Sequence, residues 1–109
     1  MANRMRFQDK IDIIIERITG KYDPKAIIVF GSVANGTSTD DSDLDVAVIL
    51  ESDLSEHDRN VDMRVCIGPI GMALDLMVFT PEEIESEKNN QFSIVSEILK
   101  TGEVVYGSA

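Results

Sequence analysis

The chain has 109 residues, 43% hydrophobic and 28% charged, which is ordinary for one globular domain that buries a modest core. Its net charge of −10 is not ordinary. A surface that acidic repels nucleic-acid phosphates, so direct binding of long DNA or RNA is not expected, whereas a basic protein or a metal-neutralised nucleotide fits.

From the N-terminus, Arg4 and Arg6 are followed at once by Asp9, Lys10 and Asp12, so no signal-peptide apolar region forms. No run is long enough to cross a membrane. A single domain over 1–109 in the cytoplasm is the expectation. Phe7, Ile11, Ile14, Ile15 and Ile18 recur at helical spacing and predict an amphipathic helix ending near Gly20. Asp23 and Pro24 make a turn, and Ala26 to Phe30 reads as a strand covered on both faces. Gly31 and Ser32 turn the chain into a short helical segment ended by Gly36, and a polar loop runs from Thr37 to Ser42. Leu44 to Leu50 is a second strand. Ser55 with Asp58 starts a weakly patterned helix to about Cys66, and Gly68, Pro69 and Gly71 break it. Met72 to Phe79 is a third strand. Thr80, Pro81 and Glu83 form a strong helix start, Phe92, Val95, Ile98 and Leu99 a last helical stripe, and Glu103 to Tyr106 an edge strand. The class is a small α/β (α+β) domain.

Chemistry concentrates between Gly31 and Asp45. Asp43 and Asp45, two apart at the head of a strand, point to one face and repel each other unless a cation sits between them. Hard ions such as Mg²⁺, bound through carboxylates and substrate phosphates, suit that site. Taken alone, the two also suit an Asp-rich turn. Asp75 interrupts an apolar strand, where a charge is costly unless paired, metal-bound or solvated on an edge strand. If the third strand lies beside the second, Asp75 completes a three-carboxylate cluster of the kind that two-metal phosphoryl transfer uses. Gly31, Ser32 and Gly36 offer a turn where phosphate oxygens meet free N–H groups.

Other candidates have plainer readings. Arg59 and Arg64 follow the second strand, where they could reach a phosphate, but no motif fixes them and balancing local charge is the commoner role. The lone Cys66 excludes an internal disulfide and suits a small apolar space; with a single His57 there is no Cys/His zinc cluster. Met63, Met72 and Met77 read as core or interface filler.

The combination of Gly31-Ser32, Asp43-Leu44-Asp45 and Asp75 resembles the DNA polymerase β-like nucleotidyltransferase superfamily. The short length and the ending from Phe92 to Tyr106 look like its minimal nucleotidyltransferases, with the likeness running from about Pro24 to Tyr106. The resemblance implies a small mixed sheet flanked by helices, two Mg²⁺ ions, and transfer of a nucleoside monophosphate, AMP from ATP, to an acceptor hydroxyl. It implies that Asp43, Asp45 and Asp75 bind metal, that Asp75 helps activate the acceptor, and that Gly31, Ser32 and Gly36 take the triphosphate. Many such proteins are antitoxins paired with a HEPN-domain ribonuclease, onto whose tyrosine they place AMP. Where many relatives carry an arginine or aromatic residue this chain has Val33, and where they carry a basic residue it has Asn35. Those departures thin the positive charge near a triphosphate and favour the alternative, a non-catalytic antitoxin that neutralises its partner by contact. No extra acceptor-binding domain is recognisable, so the acceptor is expected on another chain, a second copy in a homo-oligomer, or a very simple pocket.

Overall fold

The computed structural model describes residues 7–31, 34 and 43–108. Within them the apolar spacings become helix α1 (Gln8–Thr19), strands β1 (Ala26–Phe30) and β2 (Leu44–Ile49), and helix α2 (Glu56–Ile67). Strand β3 (Leu74–Phe79), helices α3 (Pro81–Glu87) and α4 (Ile94–Thr101), and strand β4 (Glu103–Gly107) follow. The strands form one mixed sheet in the order β3-β2-β1-β4. β1 is antiparallel to β2 and β4, whereas β2 and β3 are parallel. A parallel pair needs a crossover connection, and α2 supplies it. The small mixed sheet with flanking helices is the architecture that the family resemblance implies.

Alternation along the strands gives the sheet two differently covered faces. Ile27, Val29, Leu44, Val46 and Val48 pack on Ile11, Ile14 and Ile18 of α1 and on Met63 and Ile67 of α2. On the other face Ala26, Ile28, Ala47 and Ile49 lie under Ile98 of α4, flanked by Ile84 and Leu99. β1 and β2 are thereby buried on both sides, as their continuous apolar runs require. Asp45 alternates onto the second face with Ala47 and Ile49, so its carboxylate looks out from under α4 rather than into the larger core.

The helix ends are satisfied locally. Thr80 Oγ1 accepts from Glu83 N–H at 3.2 Å while Glu83 Oε1 accepts from Thr80 N–H at 3.0 Å, the capping box read from the sequence. Ser55 caps α2 by accepting from Asp58 N–H at 3.1 Å. At the far end of α2, Arg17 Nη1 donates to the carbonyls of Ile67 (2.5 Å) and Pro69 (2.8 Å), supplying partners that a helix C-terminus lacks. Among the described residues no helix is long and apolar enough to cross a membrane.

Two predicted elements are corrected. Phe92 does not belong to the last helical stripe: it precedes α4 and is 89% exposed. Asn90 takes the backbone out of the helix first, its Oδ1 accepting from Phe92 N–H at 3.1 Å and its carbonyl from Ser93 N–H at 2.9 Å. Ser93 then caps α4, accepting from Val95 N–H at 3.1 Å. Likewise β3 begins at Leu74 rather than Met72, after the turn that Gly71 makes at φ +83°.

Candidate functional site

β2 and β3 pair in register, Leu44 with Leu74 and Asp45 with Asp75, which sets two acidic side chains next to each other on one face. On its other flank Asp45 stands opposite Phe30 of β1. The chain leaves β1 through Gly31, whose φ is +73°. A Cβ on Gly31 would meet the Asp45 carboxylate and force it to turn aside, and the positive φ is what calls for glycine there.

The electrostatics follow from this placement. Asp45 is half-buried, whereas Asp43 and Asp75 are exposed. Burial, then a side-chain hydrogen bond with Asp75, then repulsion from Asp75 and Asp43 push the Asp45 carboxyl from its ordinary 3.8 up to about 6. The desolvation cost expected at Asp75 therefore falls on Asp45. The reason is topological: β3 is an edge strand, so Asp75 reaches water while still lying beside β2. Asp43, just ahead of β2, acts on Asp45 through its charge. Among the described residues no three His, Cys, Asp or Glu side chains gather into a ready-made metal cage.

The acidic pair opens into a cavity of about 310 Å³ whose lining includes Phe30, Asp45, Arg64, Asp75, Met77 and Ile94. Arg64 is exposed and donates from Nη1 to the Leu74 carbonyl at 3.2 Å, one residue before Asp75. Of the two arginines considered from sequence, this one lies at the site. Arg59 does not. It is buried, donates from Nε to the Val78 carbonyl at 3.1 Å and from Nη1 to the Leu54 carbonyl at 3.4 Å, and pairs with Glu83. A signal for that role was present, because Arg59 stands four before Met63 and eight before Ile67, on the buried stripe of α2.

Ser32 and Gly36, and with them Val33 and Asn35, lie outside the described residues. Cys66 is half-buried with its Sγ 3.2 Å from the Arg17 carbonyl, and His57 is exposed. A larger cavity, about 460 Å³, lies at the Ile49 end of β2, lined by Ile84 and Leu99 and by Lys25, Glu85 and Lys88. Its Lys88 pairs with Glu85 at 2.7 Å, and it contains no carboxylate pair.

The model of the nucleotidyltransferase domain family matches residues 11–105, from α1 through to β4. The chain belongs to that family. No curated protein matches the sequence. In the solved structures, this nucleotidyltransferase domain is similar to a candidate nucleotidyltransferase from Sulfolobus solfataricus, at 19% identity and TM-score 0.69, over 96% of this chain and 84% of that one. It is also similar to a chain of a toxin-antitoxin solved with AMP-PNP, at 18% identity and TM-score 0.60, covering 89% and 73% of the two chains. A mutant of the toxin-antitoxin MntA-HpeT matches at 18% identity and TM-score 0.58, covering 90% and 72%. At such identities the likeness is one of fold.

Proposed function

We propose that this nucleotidyltransferase domain transfers AMP from ATP to an acceptor hydroxyl on a partner protein, in a magnesium-dependent reaction. The observation that carries the reading is the Asp45–Asp75 pair, a half-buried carboxylate set in register beside an exposed one, both lining an open cavity. A fold gains nothing from holding like charges together, and a cation relieves their repulsion. The donor set, carboxylate oxygens alone, suits magnesium, which commonly binds one or two carboxylates plus substrate phosphates and so needs no ready-made cage. Asp43, Asp45 and Asp75 would hold the ions. When bound, magnesium neutralises the triphosphate and makes the acceptor hydroxyl more acidic.

In transfer the acceptor oxygen forms a bond to the α-phosphorus, the bond from that phosphorus to the β-bridging oxygen breaks, and pyrophosphate leaves with the electron pair. The hydroxyl proton passes to Asp75, the exposed carboxylate that lies beside Asp45. Gly31, with Ser32 and Gly36, would cradle the triphosphate through backbone N–H groups. Two of the structural neighbours are toxin-antitoxin assemblies, one of them holding AMP-PNP, which supports a protein partner and an adenine nucleotide. A HEPN-type toxin is the partner proposed.

The test is label transfer from α-³²P-ATP, with magnesium, to proteins of a native lysate, comparing the wild type with Asp45→Asn. A band labelled by the wild type alone, and absent with γ-labelled ATP, is the expected result. No label from any of the four nucleoside triphosphates would leave the contact-only antitoxin as the better reading.

A further inference from the structure

Beside the carboxylate pair lies an apolar ledge that neither the fold nor the proposed chemistry uses. Ile94, which lines the cavity with Asp45 and Asp75, is 41% exposed, and Phe92 two residues earlier is 89% exposed. A single exposed apolar side chain needs no explanation, but Phe92 stands only two residues along the chain from Ile94, which lines the cavity. The turn that carries them is braced, since Asn90 accepts from both Phe92 N–H and Ser93 N–H while Ser93 caps α4. The backbone that carries Phe92 is thus fixed locally, so that docking need not order the turn itself.

Charge narrows what could dock there. The chain carries −10 overall, and at the cavity Asp45 and Asp75, with exposed Asp43 just ahead of β2, outnumber the one cation among the described residues lining it, Arg64. A second copy would bring another −10, and a nucleic acid would bring phosphates; both are repelled. A polypeptide segment that pairs lysine or arginine with apolar side chains is complementary on both counts.

We infer that Phe92 and Ile94 form the docking ledge for a basic, apolar segment of a partner protein, which lays its acceptor hydroxyl against Asp45 and Asp75. The inference rests on the proposed function for the identity of the acceptor, but the docking itself is measurable without nucleotide. Exposed aromatic residues at the centre of an interface carry a large share of its affinity.

The probes are short fluorescein-labelled peptides with one central tyrosine, flanked by lysine and leucine, by lysine and serine, or by glutamate and leucine. Binding to the full chain is followed by fluorescence anisotropy without ATP. The lysine–leucine peptide is expected to bind best. Phe92→Ala should weaken it about tenfold and Phe92→Lys further still, with thermal midpoints unchanged because the side chain lies in water. Equal binding by Phe92→Ala, a preference for the glutamate peptide, or no binding of any peptide to the wild type would overturn the inference. So would a loss of self-association in Phe92→Ala by sedimentation, which would make a second copy the occupant. Failure of the wild type to bind magnesium–ATP would instead sink the proposed function while leaving the docking result intact.

Discussion

Two charged pairs sit toward opposite ends of β3, and they are built on opposite principles. Near its C-terminal end, buried Arg59 bonds the Val78 carbonyl and pairs with Glu83, itself fixed by the Thr80 capping box. Near its start, Asp45 meets Asp75, a group of the same sign. At Glu83 burial works against ionisation, but the Arg59 guanidinium and the Thr80 N–H outweigh it and hold the carboxyl below its ordinary 4.5. At Asp45 burial and both neighbours act together and raise it to about 6. One pair is satisfied and serves the fold. The other is left in conflict, and on the proposed function that conflict is what a cation relieves.

The strongest way to break this contrast is to remove one charge from each pair. On the proposed function, Asp45→Asn or Asp75→Asn should cut label transfer about a thousandfold, yet neither should lower stability, because each removes repulsion rather than attraction. A variant that unfolds, or one that keeps full activity, would mean that the acidic pair is structural after all. Transfer assays and urea titrations of the same preparations decide it.

Arg59→Met sharpens the other side. It keeps most of the buried stem but strips hydrogen bonds from the Val78 and Leu54 carbonyls and leaves Glu83 without its partner. The expected cost is about 2–3 kcal/mol, below that of breaking a fully buried pair, because Glu83 is 42% exposed and can hydrate. Urea unfolding measures it, and the folded fraction should retain its transfer rate. A drop in transfer without a drop in stability would move Arg59 into the site.

What the sequence made legible is what local pattern encodes. Spacing carried α1 and the buried strands, Thr80-Pro81-Glu83 carried the start of α3, and the placement of β3 beside β2 that Asp75 required is the one observed. Arg59 was harder, because its partner Glu83 lies on another helix and only its place on the apolar stripe of α2 hinted at burial. The locus of the desolvation cost was invisible for a similar reason. Which of Asp45 and Asp75 is covered depends on strand order, and strand order is not written in the run of residues around either. Phe92 was misplaced because its spacing from Val95 fits a helix, while the Asn90 side chain that diverts the backbone acts through hydrogen bonds that periodicity does not record.

The smallest effect tests the contrast in its sign. Between about pH 4 and pH 6 the folded chain holds a proton on Asp45 that the unfolded chain has released, so this group's contribution to stability falls as pH rises and is gone above about 6. Glu83 behaves oppositely: its contribution is present above its ordinary 4.5 and is lost as pH falls through its lower folded value. From pH 5 to pH 7, then, Asp45 changes and Glu83 does not. The wild type should lose about 1 kcal/mol relative to Asp45→Asn over that interval, a figure that allows for solvent screening of a half-exposed pair. Asparagine carries no titrating proton, so the variant lacks this slope and gains on the wild type toward neutrality. Urea midpoints at the two pH values read the difference directly. Parallel curves would mean that Asp45 titrates alike in both states, and the conflict that separates it from the Arg59–Glu83 pair would be absent.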